Sequence, residues 1–368
     1  MSNGKLTIGF VRRGYSPSGG AESYLKRLAR GVVARGHQAH LFASPDWPTD
    51  DLSFNEITRL RATSALAFAD EVRKIQSQIQ CDVLMSLERI WHCDVYRAGD
   101  GVHRAWLERR ERFGGPFANL VRGFNRKHPD ILRLEQSLLG DRESSRVIAN
   151  SQMVKSEIGD FYGYPADRID IVRNGVPLVE FRFDPAFRER SWTDLKLNKG
   201  EVAVLFVGSG WERKGLRFAI KAIEACKDPR LRLLVVGRGD EEKFHRPFVR
   251  FLGEMADLRP VYAASDIFIL PTIYDPFSNA CLEALAAGLP VITTLSNGFS
   301  EIIENGIHGS IVDLADDIAG LRDAIKFWSD SSRRVTARPA IIERASQFDI
   351  SKSVEQTLAV LVQAAKSG

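Results

Sequence analysis

Two carboxylates beside a predicted helix start give the strongest chemical signal in this sequence. Asp275 lies in a loop after an apolar strand, and Glu283 follows eight residues later, inside a helix that starts near Phe277 or Ser278. The first N–H groups of a helix have no partner within the helix and suit an anionic phosphate. On either side of such a phosphate, one carboxylate can hold sugar hydroxyls and the other can hold ribose hydroxyls.

A pair of cations forms the second signal. Arg213 and Lys214 follow the turn Gly208-Ser209-Gly210, just before a predicted helix. Two adjacent cations in this position are suited to neutralise a diphosphate, because both form strong charge-assisted hydrogen bonds with phosphate oxygens. A solvated pair of surface charges is the alternative interpretation of these two residues alone.

Two weaker signals lie in the first half of the chain. Gly19 and Gly20 stand immediately before a predicted helix, where the backbone can approach a phosphate closely. Asp100 and His103 lie in the polar segment Arg97–Trp106. A histidine satisfied in the core and an aspartate that caps a loop are the ordinary alternatives for these two residues.

The elements that must position these residues repeat one pattern twice. The apolar strand Lys5–Val11 is followed by a glycine-rich turn and by a helix from Ala21 that ends at Gly36. The pattern restarts with the strand Val202–Val207, a glycine turn, a polar loop and a helix at Leu216–Cys226. Further apolar runs predict strands at His37–Ala43, Asp82–Leu87, Arg146–Ala149, Ile169–Val172, Leu231–Val236, Val249–Leu252, Ile267–Leu270 and Val291–Thr293. Strands that alternate with helices predict parallel pairing, and the repeated opening predicts two Rossmann-like domains.

These patterns also predict the domain boundaries. We expect an N-terminal domain over residues 1–173 and a C-terminal domain over residues 174–350. Val176–Gly200 contains two prolines and has no clear periodicity, so we interpret it as the linker. A clean helical pattern at Ser351–Ala365 predicts that residues 351–368 form a C-terminal helix that packs back toward the N-terminal domain.

Composition limits the class of protein. A chain of 368 residues with 44% hydrophobic and 27% charged residues is typical of a soluble globular protein with two cores. The net charge of +4 is too mild to indicate nucleic acid as a partner. The four cysteines, Cys81, Cys93, Cys226 and Cys281, have no metal-binding spacing and predict no disulfide framework. Without a signal-peptide pattern or an apolar run of the ~18–20 residues that span a bilayer, we expect a cytoplasmic protein.

The motifs together resemble family 4 of the glycosyltransferases, which share the two-domain GT-B fold. The family signature E-x7-E followed by A-x-A-x-G-x-P-V corresponds here to D-x7-E followed by Ala284–Val291. A second family motif is a glycine turn followed by a basic residue and then Lys-Gly, and it corresponds here to Gly208–Gly215. A third motif, GG-x-E, corresponds to Gly19–Glu22. Asp275 stands where the family usually has Glu, and its shorter reach can alter the contacts to the donor sugar.

The resemblance implies a fold and a set of site residues. It implies an α/β GT-B fold, in which two Rossmann-like domains face each other across a cleft; the N-terminal domain binds the acceptor and the C-terminal domain binds the nucleotide sugar. The implied catalytic residues are Asp100, His103 and Asp275, with either Asp100 or His103 facing the anomeric carbon. The implied donor-binding residues are Gly19, Gly20, Arg173, Arg213, Lys214, Phe277, Ser278, Asn279, Ala280 and Glu283, and the implied nucleobase region comprises Arg238, Phe251 and Leu252.

The resemblance also implies the reaction. Family members that retain the anomeric configuration need no protein nucleophile, since the leaving phosphate accepts the proton of the acceptor hydroxyl. We expect no cofactor and no metal, because the sequence has no DxD motif in a suitable loop and cations can neutralise the phosphate instead. The order of motifs looks closest to the lipopolysaccharide core α-1,3-glucosyltransferases, which implies a hexose donor such as UDP-glucose and an acceptor in the lipopolysaccharide core or a related bacterial surface glycan.

One basic segment is not explained by the donor motifs. Trp106–Leu139 mixes arginines with bulky apolar residues, a composition that suits the surface of an anionic membrane. A glycolipid acceptor would require such an approach, at the inner face of the cytoplasmic membrane. An ordinary helix pair with a solvated basic face is the alternative interpretation.

Two other classes of function fit part of the pattern. Nucleotide-sugar epimerases and hydrolases can share this fold, but they lack the combination of GG-x-E with Arg213 and Lys214. A non-catalytic nucleotide-sugar-binding protein is the other alternative, and Asp275 in place of Glu leaves room for it.

Overall fold

The chain divides into two compact units that are described separately. The computed structural model describes residues 4–16, 20–48, 50–62, 64–78, 80–113 and 127–366. One unit comprises Met1–Asn174 and Ser351–Gly368, and the other comprises Gly175–Ile350. We refer to them as the N-terminal and the C-terminal unit.

The described residues of the N-terminal unit form a seven-stranded sheet in which all pairs are parallel. Its strands are β1 (Thr7–Arg12), β2 (Gln38–Ala43), β3 (Glu56–Arg59), β4 (Val83–Ser86), β5 (Cys93–Arg97), β6 (Ser144–Ala149) and β7 (Ile169–Ile171), in the order β3-β2-β1-β4-β5-β6-β7. Its helices are α1 (Gly20–Val33), α2 (Ala65–Ile75), α3 (His103–Arg112), α4 (Lys127–Glu135) and α5 (Gln152–Tyr162), with a π-helical turn at Gln136–Gly140. Parallel pairing brings the carboxyl ends of these strands to one edge of the sheet.

Strands β3 and β5 are absent from the sequence prediction because polar residues interrupt their apolar pattern. The buried strand β5 ends at Arg97, whose guanidinium donates to Asn174 Oδ1 (2.6 Å) and lies 4.0 Å from the centroid of the Tyr24 ring. A hydrogen bond and a cation–π contact therefore offset part of the cost of burying this charge, whose Nη1 has no hydrogen-bond partner among the described residues. Neither partner is near Arg97 in sequence, so a sequence window does not reveal them.

The C-terminal unit has a six-stranded sheet, again with parallel pairing throughout. Its strands are β8 (Val202–Val207), β9 (Leu231–Val236), β10 (Val249–Gly253), β11 (Ile267–Leu270), β12 (Val291–Thr294) and β13 (Gly309–Val312), in the order β10-β9-β8-β11-β12-β13. Its helices are α6 (Leu178–Phe181), α7 (Pro185–Asp194), α8 (Trp211–Lys214), α9 (Leu216–Cys226), α10 (Glu241–Phe244), α11 (Arg259–Ala264), α12 (Asn279–Ala286), α13 (Ile318–Ser329) and α14 (Ser331–Ser346). Strand β8 is apolar and buried over its whole length, as expected for the centre of a parallel sheet.

Two expectations about this unit are wrong. Val176–Gly200 is not an irregular linker, because it contains α6 and α7. Pro185 occupies the first turn of α7, and the Asp184 carboxylate caps that helix by accepting the backbone N–H groups of Ala186 (2.9 Å) and Phe187 (3.2 Å). The segment after Gly210 is the short helix α8 rather than a polar loop.

The chain ends in helix α15 (Ile350–Ala365), which matches the helix predicted at Ser351–Ala365. It packs in the N-terminal unit against α1. The Tyr24 hydroxyl lies 3.1 Å from Thr357 Oγ1, and a Cβ atom added to Gly31 would lie 2.4 Å from Val354 Cγ1. Gly31 therefore allows the two helices to approach closely.

Candidate active site

The glycine turn after β8 fixes the cations of the C-terminal unit. Gly215 has a φ of 81°, and a Cβ atom there would lie 1.9 Å from the carbonyl oxygen of Pro271, so only glycine fits. The Arg213 carbonyl accepts hydrogen bonds from the Ile273 backbone N–H (2.9 Å) and the Thr272 hydroxyl (3.0 Å). The turn that carries the cations is thereby tied to the loop after β11.

Lys214 and Asp275 form an ion pair between these two loops. The Lys214 ammonium donates to Asp275 Oδ2, and the lysine stem lies beside Gly208, where a Cβ atom would be 3.5 Å from Lys214 Cε. Asp275 is 5% exposed. The Arg213 guanidinium donates to the Tyr274 carbonyl (3.3 Å). The structure therefore brings Lys214 to the predicted carboxylate and Arg213 to the residue before it, at the carboxyl edge of the sheet.

Helix α12 starts where the sequence indicates. Ser278 is its N-cap, and the serine hydroxyl accepts the backbone N–H of Cys281 (3.3 Å). The Ser278 N–H in turn donates to Asn297 Oδ1 (3.3 Å). Asn279 and Ala280 follow as the first helical residues, in the turn whose N–H groups suit an anion.

Phe277 takes a different place from the other predicted donor-binding residues. Its side chain is 3% exposed and packs edge-on against Phe299, with 6.0 Å between the ring centroids. The ring belongs to the hydrophobic core, so only the backbone of Phe277 is available for the predicted donor contact.

Glu283 is held by a tyrosine that sequence reasoning missed. The Tyr262 hydroxyl donates to Glu283 Oε2 (2.9 Å) and approaches the carbonyl of Ala280 (3.2 Å). Burial, followed by the charge of Glu283, raises the pKa of Tyr262 well above its usual value, so the phenol keeps its proton and donates. Tyr262 lies on α11, and no local motif connects it to Glu283.

The predicted nucleobase region surrounds another missed residue, Trp211. The Phe251 ring stacks on Trp211 with 5.3 Å between the centroids and 25° between the planes, and a Cβ atom at Gly239 would lie 2.2 Å from the indole. Arg238 is exposed, and its backbone N–H donates to Ser209 Oγ (3.3 Å). Strand β10 and the turn after β9 therefore pack on one tryptophan, which lies in α8. Leu252 follows Phe251 on β10 and is half-buried.

In the N-terminal unit, Asp100 belongs to a charge cluster around Arg12. The Arg12 guanidinium donates to Glu22 (2.9 Å) and Glu88 (2.8 Å), and it lies 4.0 Å from Asp100. Burial raises the pKa of Glu88, and Asp100 adds to that shift while Arg12 opposes it. These residues come from β1, α1 and the loops after β4 and β5, so the cluster lies at the carboxyl edge of the sheet. Sequence reasoning found Asp100 and missed Arg12 and Glu88.

His103 is the first residue of α3, and a buried carboxylate fixes that helix start. Glu135 is fully buried and accepts the backbone N–H groups of His103 (2.7 Å) and Arg104 (3.2 Å). The Arg89 guanidinium (2.8 Å) and the Tyr162 hydroxyl (2.7 Å) also donate to Glu135. Although burial alone would raise the pKa of Glu135, Arg89 and these hydrogen bonds lower it, so the carboxylate is charged.

The remaining predicted residues of this unit are placed only in part. Gly20 begins α1, whereas Gly19 lies outside the described residues. Arg173 is half-buried and follows β7 by two residues. The separate roles predicted for the two domains stay predictions.

The basic segment Trp106–Leu139 is described on both sides of residues 114–126. Arg109 pairs with Glu157 (2.6 Å), and Arg133 lies over the Trp91 ring, 5.3 Å from its centroid. Leu134, Leu138 and Leu139 are buried in the unit. Part of the segment therefore serves internal packing. Residues 114–126, which include Arg122 and Arg126, lie outside the described residues, and the membrane contact predicted for Trp106–Leu139 stays a prediction.

Two further features bear on metals and membranes. Within the described ranges, no group of three or more His, Cys, Asp or Glu side chains could hold a metal ion. The expectation of a metal-independent enzyme stays a prediction. None of the described helices combines the length and the apolar character needed to cross a bilayer.

Comparison with known proteins identifies the family. The profile for Glycosyltransferase Family 4 matches residues 18–180, and the profile for Glycosyl transferases group 1 matches residues 201–330. An uncharacterized glycosyltransferase of Methanocaldococcus jannaschii is 29% identical, over 83% of this chain and 84% of the relative. A D-inositol 3-phosphate glycosyltransferase of Pseudarthrobacter chlorophenolicus is 27% identical, over 94% of this chain and 90% of the relative.

Solved structures identify the fold. WaaG, a glycosyltransferase involved in lipopolysaccharide biosynthesis, has a TM-score of 0.82 at 21% identity, covering 96% of this chain and 99% of WaaG. Anabaena HepE in complex with UDP and glucose has a TM-score of 0.74 at 19% identity, covering 96% and 98%. The predicted GT-B fold is confirmed, and the chain belongs to the family 4 glycosyltransferases.

Proposed function

We propose that this family 4 glycosyltransferase is a retaining hexosyltransferase that moves glucose from UDP-glucose to a hydroxyl of a saccharide acceptor. The observation that carries the proposal is the Lys214–Asp275 ion pair. Asp275 precedes Ser278, the N-cap of helix α12, by three residues. A cation, a carboxylate and a helix start therefore lie at the same edge of one sheet. The similar structure of HepE holds UDP and glucose, which supports a uridine nucleotide and a hexose as the donor.

The donor groups divide among these residues. Arg213, Lys214 and the first N–H groups of α12 bind the diphosphate, whose negative charge grows as the bond to the anomeric carbon breaks. Asp275 binds hydroxyls of the transferred sugar, and Glu283 binds the ribose. Asp275 also holds the Lys214 ammonium in place before the donor arrives, so little rearrangement is needed in the transition state.

The bond changes need no protein nucleophile. The bond from the anomeric carbon to the β-phosphate oxygen breaks, with oxocarbenium character at that carbon. The acceptor oxygen attacks the same face, and its proton passes to the departing phosphate oxygen. We assign Asp100 and His103 to contacts with the reacting sugars. The cations replace a metal ion, so activity should survive EDTA and gain nothing from added Mg²⁺ or Mn²⁺.

We place the acceptor in the lipopolysaccharide core or a related bacterial surface glycan, approached at the inner face of the cytoplasmic membrane. The likeness to WaaG supports this choice, as does the composition of Trp106–Leu139. Replacing Arg122 and Arg126 by Gln should weaken sedimentation with anionic vesicles, by about 1 kcal/mol for each charge at low salt. Equal sedimentation of variant and wild type would contradict the membrane contact.

A donor screen followed by an acceptor test decides between this proposal and its rivals. UDP-, GDP- and ADP-sugars are compared by thermal shift, since a ligand at one hundred times its Kd stabilises the fold by about 2.7 kcal/mol. Release of UDP from the best donor is then measured with and without acceptor. Acceptor-dependent release supports the transferase. Release without acceptor favours a hydrolase or epimerase, and binding without turnover favours a non-catalytic binding protein.

A further inference from the structure

Three side chains of helices α3 and α4 form a continuous hydrogen-bonded chain. His128 Nδ1 lies 3.0 Å from His103 Nε2, and the Arg110 guanidinium lies 3.2 Å from His128 Nε2. The two imidazole centroids are 5.2 Å apart. Arg110 follows His103 by seven residues, about two helical turns, so both lie on the face of α3 that meets α4. The donor motifs assign no function to His128.

Hydrogen-bond chemistry fixes the direction of this chain. A guanidinium has only N–H donors, so Arg110 donates and His128 Nε2 accepts. A neutral His128 therefore carries its proton on Nδ1 and donates it to His103 Nε2. His103 then accepts at Nε2, and its own proton must be on Nδ1. Among the described residues, no group forms a hydrogen bond with His103 Nδ1, so this N–H is available to a ligand.

The surroundings oppose a second proton on His103. Protonation at Nε2 would turn that nitrogen into a donor facing the donor Nδ1–H of His128. Burial, followed by the charge of Arg89, lowers the pKa of His103 to about 4. His128 and Arg110 lower it further, and Glu135 is the charged group that raises it. His103 is therefore neutral near pH 7.

We propose that His128 is a positioning residue that holds His103 as the neutral tautomer with its proton on Nδ1. In this form His103 offers a hydrogen-bond donor to an oxygen atom of the bound sugars, and it acts neither as a base at Nε2 nor as a cation. The catalytic part of the inference rests on the proposed function, which places His103 against the reacting sugars. The tautomer itself can be measured without any reaction.

The direct test is long-range ¹H–¹⁵N NMR of the uniformly labelled full chain, with His103→Gln used to assign the resonance. In the wild type at pH 7, His103 should carry its proton on Nδ1. In His128→Phe, which cannot donate, His103 should populate both tautomers and titrate at a higher pH. His128→Asn keeps an amide N–H in place of Nδ1–H and should restore the wild-type tautomer. A proton on Nε2 in the wild type, or an unchanged resonance and titration in His128→Phe, would overturn the proposal.

Kinetics then tests the consequence for catalysis. His128→Phe should lower kcat about tenfold, the equivalent of one hydrogen bond of about 1.4 kcal/mol, with little change in donor KM. On acidification, its kcat should fall at a higher pH than that of the wild type, because His103 gains its proton earlier. His92→Phe, at a half-exposed histidine paired with Glu143, is the matched control and should leave kcat and its pH dependence unchanged.

The two kinds of failure are distinguishable. If no sugar transfer is detected in the wild type, the proposed function fails while the NMR result still decides the tautomer. If the tautomer changes in His128→Phe but kcat and its pH profile do not, the positioning role in catalysis is wrong.

Discussion

The two units hold a half-buried cation at the carboxyl edges of their sheets in different ways. In the C-terminal unit, Lys214 pairs with one carboxylate, Asp275. In the N-terminal unit, the Arg12 guanidinium donates to both Glu22 and Glu88 and lies near Asp100. Lysine is a compact point charge, whereas the arginine fork can join several carboxylates at once.

Under the proposed function, Lys214 binds the phosphate of the donor, whereas the ion pairs of Arg12 stabilise the fold. A phosphate can replace Asp275 as the partner of Lys214. Only the Asp275 carboxylate then needs new hydrogen bonds, and the sugar hydroxyls can donate them. No single ligand group could replace the partners of Arg12, because the buried Glu22 would lose its counter-charge and the half-buried Glu88 would keep only the more distant Arg13, 4.0 Å away. We therefore expect Lys214 to act mainly on catalysis and Arg12 mainly on stability.

The largest effect on stability should come from Arg12→Leu. Removing one partner from a buried ion-pair network costs about 3–5 kcal/mol in the free energy of unfolding. The folded-state pKa of Glu88, already raised by burial, should rise further without Arg12. A raised carboxyl pKa costs stability above the unfolded-state pKa, so the loss should be large at pH 7 and smaller at pH 5.

Urea unfolding of Arg12→Leu at both pH values measures this loss. Arg12→Leu/Glu88→Gln, which removes one of the stranded charges, is the matched control and should recover part of the stability at pH 7. A loss below about 1 kcal/mol at both pH values would show that the network is not structural.

Lys214→Ala should reduce catalysis most. Loss of one charge-assisted contact to the developing phosphate charge should lower kcat/KM for the donor by roughly 10²–10³-fold. The variant also leaves Asp275 buried without its cation, which costs some stability. Lys214→Ala/Asp275→Asn should therefore regain stability without regaining activity.

A matched lysine in the other unit provides the control for Lys214. Lys26 pairs with the buried side chain of Asp51 (2.9 Å), and Lys26→Ala should leave the Kd for UDP unchanged. Steady-state kinetics and calorimetry with UDP measure these effects. If Lys214→Ala retained wild-type kcat/KM, the ion pair would be as structural as the Arg12 network.

The same comparison shows which parts of the site a sequence can reveal. Asp275, the Ser278 cap and Glu283 all lie within thirteen residues of the end of β11 at Leu270, so a strand–loop–helix pattern predicts their common location. Arg213 and Lys214 follow β8, which pairs with β11, and parallel strands bring both loops to one edge. Short motifs and the geometry of a parallel sheet are sufficient here.

The Arg12 network was not predictable in this way. Arg12 and Glu88 are separated by 76 positions, and each lies at the end of an apolar run with no motif around it. Only the strand order, with β1 beside β4, brings them together. Phe277 shows a different limit, because its position in the motif does not reveal that its ring packs in the core against Phe299. The direction of a side chain depends on packing that the motif does not encode.

The next smaller effects separate the two carboxylates of the donor site. Asp275→Asn should spare binding of UDP and lower turnover, since only the sugar loses its partner. Glu283→Gln should weaken UDP itself, because the ribose is present in donor and product alike. Each change should cost about 1–3 kcal/mol, which calorimetry and kinetics can resolve.

Asp275→Glu introduces the residue that is usual in the family and should retain turnover. Loss of UDP binding in Asp275→Asn together with normal binding in Glu283→Gln would reverse the assignment.

The smallest effect should come from Tyr262→Phe, which removes a single hydroxyl. Without the donor at Oε2, Glu283 is less well fixed for the ribose, so UDP should bind up to about tenfold more weakly, while kcat at saturating donor stays near the wild-type value. The protein should also lose roughly 0.5–1.5 kcal/mol of stability.

Tyr164→Phe is the matched control, since the buried Tyr164 hydroxyl donates to the Ser144 carbonyl (2.7 Å) in the N-terminal unit. It should cost similar stability and leave UDP affinity unchanged. Equal UDP affinities in the two variants would mean that Tyr262 stabilises the fold but does not position Glu283 for the nucleotide.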